Sequence, residues 1–117
     1  MNNLGKWVVL DIESTGIDPT SDEIIDIGFL QFEGTKLVRK FSSLVRPKNT
    51  NLSEFIRKLT GLKPEMFTKA PFWEQVQSEL WDLESHTLLA HNASFEENFL
   101  KKHFENNQVE APIFLDS

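Results

Sequence analysis

The stretch Trp7-Val8-Val9-Leu10-Asp11-Ile12-Glu13-Ser14-Thr15-Gly16 decides the fold. Residues 7–12 are rich in apolar and β-branched side chains, which predicts a buried β-strand. Successive side chains of a strand point to opposite faces, so Asp11 and Glu13 share one face while Ile12 points to the other. Paired carboxylates are ligands that Mg²⁺ and Mn²⁺ accept. An isolated Asp-x-Glu more often faces solvent or caps a turn, so the pair alone leaves both interpretations open.

Ser14, Thr15 and Gly16 follow the two acids directly. Hydroxyl and backbone N–H groups beside a carboxylate pair can hold a phosphate or a sugar, and glycine lets a substrate approach the backbone closely. An ordinary loop is the alternative. We predict that these three residues contact the substrate of a metal site built on Asp11 and Glu13.

The rest of the chain divides into alternating strands and helices. The predicted elements are strands at 23–32 and 36–45 joined as a hairpin, helices at 53–59 and 71–83, a strand at 87–91, a helix from 92–94 onward and the start of a strand at 112–115. This order predicts one α/β domain over residues 1–117, with a mixed sheet of about five strands, the first three consecutive, flanked by helices.

Composition narrows the function. With 117 residues, 39% of them hydrophobic, the chain can bury the core of one domain. It has no cysteine, which excludes disulfides and thiolate metal sites. A net charge of −6 argues against a protein that coats nucleic acid, but not against an enzyme that grips a strand end through divalent cations. The polar residues 1–6 and the short apolar run after them predict a cytoplasmic protein without signal peptide or membrane span.

Residues 9–19 resemble the first motif of the DEDDh 3′→5′ exonucleases, the DnaQ-like family that includes the proofreading subunit of bacterial DNA polymerase III. The family usually has Thr where Ser14 stands. Residues 22–28 are similar to its second strand, and Leu59-Thr60-Gly61-Leu62 to its helix-ending Leu-Thr-Gly-Ile. The resemblance implies that Thr60 and Leu62 lie beside the terminal nucleotide, with helix termination and packing as the alternative.

A second motif, Ala90-His91-Asn92-Ala93-Ser94-Phe95-Glu96, resembles the family's His-Asn-Ala-x-Phe-Asp, whose Asp is the third metal-site carboxylate. Glu96 takes that position here with one extra methylene, and a misplacement of about 1 Å can cost on the order of a hundredfold in rate. Phe95 could stack on a base or pack in the core. Glu97 is interpreted as the partner of Ser94 in a capping box.

The family's general base is a His in a third motif, His-x-x-x-x-Asp, which lies beyond the point that corresponds to Asp116. None of His86, His91 and His103 fits that role; we expect His86 and His103 to be surface or packing residues. The similarity covers about the first two-thirds of a typical domain. We therefore expect an incomplete exonuclease domain with no general base in this chain and little or no turnover.

The resemblance implies a ribonuclease-H-like sheet that binds two Mg²⁺ or Mn²⁺ ions through Asp11, Glu13 and Glu96. The expected reaction releases nucleoside 5′-monophosphates from the 3′ end of single-stranded DNA in replication or repair, with RNA left open because the 2′-hydroxyl decides between them. A polymerase or helicase is an expected partner, and self-association stays open. The alternative is a degenerate nucleic-acid-binding or interaction module without turnover. Basic residues that could border a nucleic-acid path, or lie on a solvated surface, are Arg39, Lys40, Arg46, Lys48, Arg57, Lys58 and Lys63.

Overall fold

Four strands form one mixed sheet in the computed structural model, which describes residues 5–48, 61, 64–67, 69–90 and 93–106. The strands are β1 (Lys6–Ser14), β2 (Ile24–Glu33), β3 (Lys36–Leu44) and β4 (Thr87–Leu89), in the spatial order β3-β2-β1-β4. β1 pairs antiparallel with β2 and parallel with β4, so the acidic strand lies inside the sheet. This confirms the predicted mixed sheet with three consecutive first strands. The helix predicted at 53–59 and the strand at 112–115 lie outside the described residues.

The β2–β3 hairpin forms where the sequence predicts it. Gly34 adopts a φ of 61°, a left-handed conformation that glycine accepts without steric cost. The indole Nε1–H of Trp7 donates a hydrogen bond of 2.6 Å to the Gly34 carbonyl, and its ring stacks on Phe32 with centroids 4.1 Å apart. The start of β1 is thereby fixed to the hairpin.

The helix predicted at about 71–83 forms, beginning at Trp73, but only its first turn is α-helical. It is an α-helical turn, α1 (Trp73–Val76), continued by a 3₁₀ segment, Gln77–Leu83. The buried side chains are four residues apart from Val76 to Leu80 but three apart from Leu80 to Leu83, and a 3₁₀ helix aligns residues at a spacing of three. The tighter winding therefore keeps both leucines on the core.

The sequence spaces Phe72, Val76, Leu80 and Leu83 about one helical turn apart, which predicts that Phe72 belongs to the apolar stripe of this helix and that Trp73 flanks it. The structure reverses the two: Phe72 is 39% exposed and Trp73 only 5%. Phe72 precedes the helix and forms a parallel β-bridge with Arg46, whose guanidinium lies 4.6 Å from the ring centroid. A cation on its ring explains why this large apolar side chain stays at the surface.

The second helix, α2 (Ala93–Asn106), closes the core on one face of the sheet. Its Phe99, Leu100 and Phe104 are fully or almost fully buried against the inward side chains of β1. Because the helix begins at Ala93, Ser94 is its second residue and cannot be the N-cap, so the predicted capping box with Glu97 is wrong. Among the described residues, no helix is long and apolar enough to cross a membrane.

A polar chain of hydrogen bonds crosses the same core face. The buried Gln31 accepts a bond of 3.1 Å from Arg39 Nε, and its amide nitrogen lies 3.2 Å from His86 Nε2. Arg39 also donates to a carboxylate oxygen and to the backbone carbonyl of Glu79. Buried polar groups are tolerated only when they are paired, so this network replaces apolar packing without leaving its members unsatisfied. His86 is a buried packing residue, one of the two expected roles.

His103 ties α2 to the start of β2. Its Nε2 accepts a hydrogen bond of 3.0 Å from the backbone N–H of Ile24, and its Nδ1 lies 3.0 Å from the carbonyl of Phe99. One ring nitrogen accepts and the other donates, which only neutral imidazole can do. Burial, the larger effect, lowers the pKa of His103 below its usual 6.5, while the Phe99 carbonyl opposes the shift.

The hydrogen bond between His103 and Ile24 predicts that the stability of the protein depends on pH. A lowered folded-state pKa means that the unfolded chain binds the proton first, so the contribution of His103 is complete above about pH 6.5 and declines as the pH falls toward the folded-state pKa. We expect His103→Gln to destabilise the protein most above pH 6.5 and progressively less at lower pH. Urea unfolding of both proteins between pH 8 and pH 5 measures the difference; a difference that stays constant with pH contradicts it.

Candidate active site

The outer face of the sheet carries Asp11 and Glu13. Along β1, Leu10 and Ile12 are buried in the core, whereas Asp11 and Glu13 are exposed on the opposite face. The two carboxylates thus share a face, as the alternation in the sequence predicts. β4 pairs with β1 only as far as Val9, so both acids lie beyond the last residue of β4, Leu89, which directly precedes the second motif in the sequence.

Asp26 is a third carboxylate on the face that carries Asp11 and Glu13, and no sequence motif gives it a role. It lies directly opposite Glu13 in the β1–β2 pairing. Asp11 faces Gly28 in the same register, which leaves the space above Asp11 open. The alternation of Asp26 between two isoleucines was visible in the sequence. The antiparallel pairing that places it against Glu13 was not.

The three charges act on one another. Burial, followed by the charges of Asp11 and Asp26, raises the pKa of Glu13. Burial and the charge of Asp11 likewise raise the pKa of Asp26, although a backbone hydrogen bond from Ile27 opposes this. The charge of Asp11 therefore makes both Glu13 and Asp26 harder to ionise, and a divalent cation would relieve the repulsion. The chemistry of this donor set, hard oxygen ligands at close range, fits Mg²⁺ or Mn²⁺.

Among the described residues, no group of three or more His, Asp or Glu side chains is arranged to hold one ion. Two carboxylates with water or phosphate oxygens suffice for Mg²⁺, which keeps several of its waters. Glu96 lies in the first turn of α2 and is only 4% exposed. The structure brings Asp11, Glu13 and Asp26 to one face, and the metal-binding role of Glu96 stays a prediction.

The loop after β1 is organised around Asp22. Thr15 donates its hydroxyl to Asp22 Oδ1 at 3.2 Å and accepts from the backbone N–H of Glu23 at 2.9 Å. The other oxygen of Asp22 accepts from the backbone N–H of Asp18. The Ser14 hydroxyl donates to the carbonyl of Gly16. Thr15 therefore shapes the loop, and the substrate contacts predicted for Ser14, Thr15 and Gly16 stay predictions.

The remaining predicted site residues are placed as follows. Phe95 is half-buried and packs against the core, with its ring 4.7 Å from that of Phe99. Thr60, Leu62 and His91 lie outside the described residues, as do the basic residues Arg57, Lys58 and Lys63. Arg39 is bound to Glu79 and Arg46 to the Ala70 carbonyl, whereas Lys40 and Lys48 are exposed.

Comparisons with known proteins agree with this geometry. A family model described as "Exonuclease" (RNase_T) matches residues 8–117. The chain is 40% identical to the DNA polymerase III PolC-type of Caldanaerobacter subterraneus subsp. tengcongensis over 98 residues, which are 83% of this chain and 7% of that protein. It is 31% identical over 108 residues to the 3′-5′ exonuclease DinG of Staphylococcus aureus, covering 92% of this chain and 12% of that protein. The chain thus spans about a tenth of the length of these relatives.

Two solved structures share the fold. The nuclease domain of 3′hExo, a DEDDh family member bound to rAMP, superposes with a TM-score of 0.72 at 23% identity, over 90% of this chain and 60% of that one. Product-bound exonuclease I gives a TM-score of 0.80 at 12% identity, over 96% of this chain and 30% of that one. Fold and family together define a hydrolytic exonuclease domain, of a class that generally uses divalent metal ions.

The chain belongs to the exonuclease family. The predicted resemblance to DnaQ-like DEDDh exonucleases is confirmed, and so is the ribonuclease-H-like fold.

Replacement of Gly16 tests whether Asp22 holds the loop after β1 in place. A Cβ added at Gly16 would lie 2.3 Å from Asp22 Oδ2, whereas one added at Gly28 would meet nothing closer than 3.6 Å. Gly16→Ala must therefore displace the carboxylate that holds Thr15 and Asp18, and we expect a loss of about 1–3 kcal/mol of unfolding free energy. Gly28→Ala is the matched control and should change stability by less than about 0.5 kcal/mol. Chemical denaturation compares the two; equal effects would contradict the role of Asp22.

Replacement of Asp11 tests whether the carboxylates of Asp11, Glu13 and Asp26 repel one another. Without metal, Asp11→Asn removes the charge that raises the pKa of Glu13 and of Asp26. We expect the unfolding midpoint in EDTA at pH 7.5 to rise by about 2–4 °C, because ~0.5 kcal/mol of repulsion, partly screened by solvent, is relieved. Asp82→Asn, the same change at an exposed carboxylate that lies 3.8 Å from Arg39, is the control. Because it removes only a weak exposed ion pair, it should leave the midpoint unchanged or slightly lower.

Addition of Mn²⁺ should reverse the order of the unfolding midpoints of the wild type and Asp11→Asn. Binding to the folded state alone stabilises by about 2.7 kcal/mol at a hundredfold excess over Kd. We expect Mn²⁺ to raise the midpoint of the wild type and of Asp82→Asn, and to leave Asp11→Asn almost unchanged. An equal rise in all three proteins would show that the ion binds elsewhere.

Proposed function

We propose that this chain is the metal-binding part of a 3′→5′ exonuclease that releases nucleoside 5′-monophosphates from the 3′ end of single-stranded DNA. The observation that carries the proposal is the placement of Asp11 and Glu13 side by side on the outer face of an interior strand, with Asp26 opposite. Membership in the exonuclease family supports the reaction class. The kinship with a PolC-type polymerase and with DinG supports a role in replication or repair and a polymerase or helicase partner.

Asp11, Glu13 and Glu96 would hold two Mg²⁺ or Mn²⁺ ions in this proposal. When bound, such ions polarise the scissile phosphate, activate water and stabilise the leaving 3′ oxygen. The raised pKa of Glu13 and of Asp26 makes the fit stronger, because the ionised group is costly until a cation neutralises it. Asp26 would contribute charge rather than direct ligation, since it is held across the strand pair from Glu13.

The residues around the carboxylates would position the strand end. Ser14 and Gly16 follow Glu13 by one and three residues. Their backbone N–H groups could donate to a phosphate oxygen, and the Ser14 hydroxyl, which donates to the Gly16 carbonyl, could accept from a sugar hydroxyl. Thr15 would act indirectly, by holding the loop to Asp22. Thr60 and Leu62 would border the terminal nucleotide, as the family resemblance implies, and Phe95 could stack on a base as aromatic side chains do.

The general base must come from elsewhere than His86 and His103. Both ring nitrogens of His86 lie within hydrogen-bonding distance of internal partners, Gln31 and the Glu84 carbonyl. Both ring nitrogens of His103 are likewise used, on Ile24 and Phe99. A base has to be free to take a proton from the attacking water. Neither histidine of the described residues can therefore be the base, and His91 lies outside those residues. The family resemblance puts the base in a third motif, so we expect slow or no turnover from these 117 residues, while metal and strand binding persist.

Strand binding tests the proposal. The 117-residue chain should bind a linear single strand more tightly in Mn²⁺ than in EDTA, and the gain should vanish in Asp11→Asn but not in Asp82→Asn. A circular single strand of the same composition has no 3′ end and should show no gain. Fluorescence anisotropy measures, for each protein, the four combinations of strand (linear or circular) and metal condition (Mn²⁺ or EDTA).

Hydrolysis on a 5′-labelled strand gives the direction of any reaction. Fragments shortened from the 3′ end, with nucleoside 5′-monophosphate as product, agree with the proposal if Asp11→Asn abolishes them. Shortening from the 5′ end contradicts it. Strand binding that is independent of Mn²⁺ and of Asp11 favours the alternative, a nucleic-acid-binding module without turnover. Replacement of the strand by RNA determines whether the 2′-hydroxyl is accepted.

A further inference from the structure

Gly28 lies in the middle of β2, at a position where the backbone has no need of glycine. Its conformation is that of ordinary extended strand, without a left-handed φ. It pairs with Asp11 of β1 and with Ser42 of β3, and the register shifts of β2 lie near its two ends, so Gly28 is not part of a bulge. Glycine weakens the interior of a strand, so its presence here has a cause outside the backbone.

Packing within the described part of the chain does not require a glycine at this position either. Apart from the two chain neighbours of Gly28, the only described atom within 4 Å of an added Cβ is the carbonyl oxygen of Phe41, at 3.6 Å, which is an ordinary contact. A side chain would therefore fit. A glycine in a strand that is neither a bulge nor a packing requirement often marks a place where a ligand approaches the backbone closely.

The position without a side chain lies directly beside Asp11. Residues that pair directly share a face of the sheet, with their Cβ positions about 4.5–5.5 Å apart, so a side chain at Gly28 would stand against the Asp11 carboxylate. Along β2, the neighbouring side chains on this outer face belong to Asp26 and Leu30, four residues and about 13 Å apart. Gly28 is therefore the floor of an opening that ends at Asp11.

The chemistry of this floor selects one part of a nucleotide. The backbone N–H and C=O groups of a strand lie in the plane of the sheet, so the floor offers van der Waals contact and no hydrogen bonds. The carboxylates of Asp11 and Asp26 flank it and would repel a phosphate that no cation neutralises. None of the residues that pair with Gly28 or flank it on this face is aromatic, so a base would have no ring to stack on. An uncharged sugar ring meets none of these obstacles.

We propose that Gly28 is a specificity-determining residue, whose missing side chain lets a sugar of the substrate strand rest on β2 beside Asp11. In a strand, a sugar adjoins each phosphate on either side, so a phosphate held by a cation at Asp11 and Glu13 brings a sugar next to Asp11. The assignment rests on the proposed function, because the cation at Asp11 is what holds that phosphate. It gives a binding role to a residue that the sequence motifs mark only as part of the second strand.

Two substitutions fill the opening stepwise. Gly28→Ala adds one carbon and Gly28→Val adds three, and overpacking of a close contact is costly. We expect the affinity for a linear single strand in Mn²⁺, measured by fluorescence anisotropy, to fall about threefold in Gly28→Ala and at least about tenfold in Gly28→Val. Ser42→Val is the matched control, because it adds bulk on the same face one strand, about 4.8 Å, farther from Asp11. It should bind the strand within about twofold of the wild type.

Unfolding midpoints separate this role from a structural one. In EDTA, both Gly28 variants should unfold at or above the wild-type midpoint, because alanine and valine are better strand residues than glycine. Mn²⁺ should raise their midpoints as much as that of the wild type, since Asp11 and Glu13 are retained. If Gly28→Val does not fold, Gly28→Ala still decides through its threefold loss of strand affinity. A strand whose last two nucleotides lack their bases should lose affinity by the same factor on Gly28→Val, because its sugars are unchanged.

Several results would overturn the inference. If both Gly28 variants bind the strand as tightly as the wild type does, no part of the substrate uses the opening, although Mn²⁺-dependent binding of the wild type would still support the proposed function. Loss of the Mn²⁺ effect on the midpoint of Gly28→Val would show that the ion itself takes the space. An equal loss of strand affinity in Ser42→Val, or no loss with the strand that lacks its bases, would also contradict the assignment. If the wild type shows no Mn²⁺-dependent strand binding, the proposed function and this inference both fall.

Discussion

The register of β1 against β2 is the constraint on which the rest of the structure depends. It sets Leu10 and Ile12 into the core and Asp11 and Glu13 onto the outer face, with Asp26 across from Glu13. A shift by one residue would bury two carboxylates and expose two core side chains. Burial of the apolar side chains of β1 is worth about 1.5–3 kcal/mol each, so the core fixes the register and the site inherits it.

The crowded carboxylates of the candidate site lower the stability that the core provides. Three carboxylates crowd one face, and burial together with mutual repulsion raises the pKa of two of them. Among the described core residues, the buried histidines and Gln31 have hydrogen-bonding partners, while the indole Nε1–H of Trp73 has no acceptor. Carboxylates whose pKa is raised together on one exposed face are typical of a face that binds a cation.

The sequence predicted the elements that depend on local pattern and missed those that depend on pairing between distant segments. The strands, the hairpin with Gly34 and the shared face of Asp11 and Glu13 all follow from alternation and turn chemistry within about ten residues. The position of Asp26 opposite Glu13 requires the β1–β2 register. The exposure of Phe72 requires the bridge to Arg46, 26 positions earlier in the chain. His103 lies on a predicted helix, but its partner Ile24 is 79 residues away.

The loop between β1 and β2 joins the parts of the molecule that carry chemistry. It begins beside Glu13, is held closed by Asp22, and ends at Ile24, whose N–H is bound by His103 of α2. The same helix carries Glu96 in its first turn, two turns before His103. His103 therefore fixes the helix that carries Glu96 to the end of the loop that begins beside Glu13. Two segments that are far apart in the sequence, the loop after β1 and the helix of the second motif, are thereby held together through one imidazole.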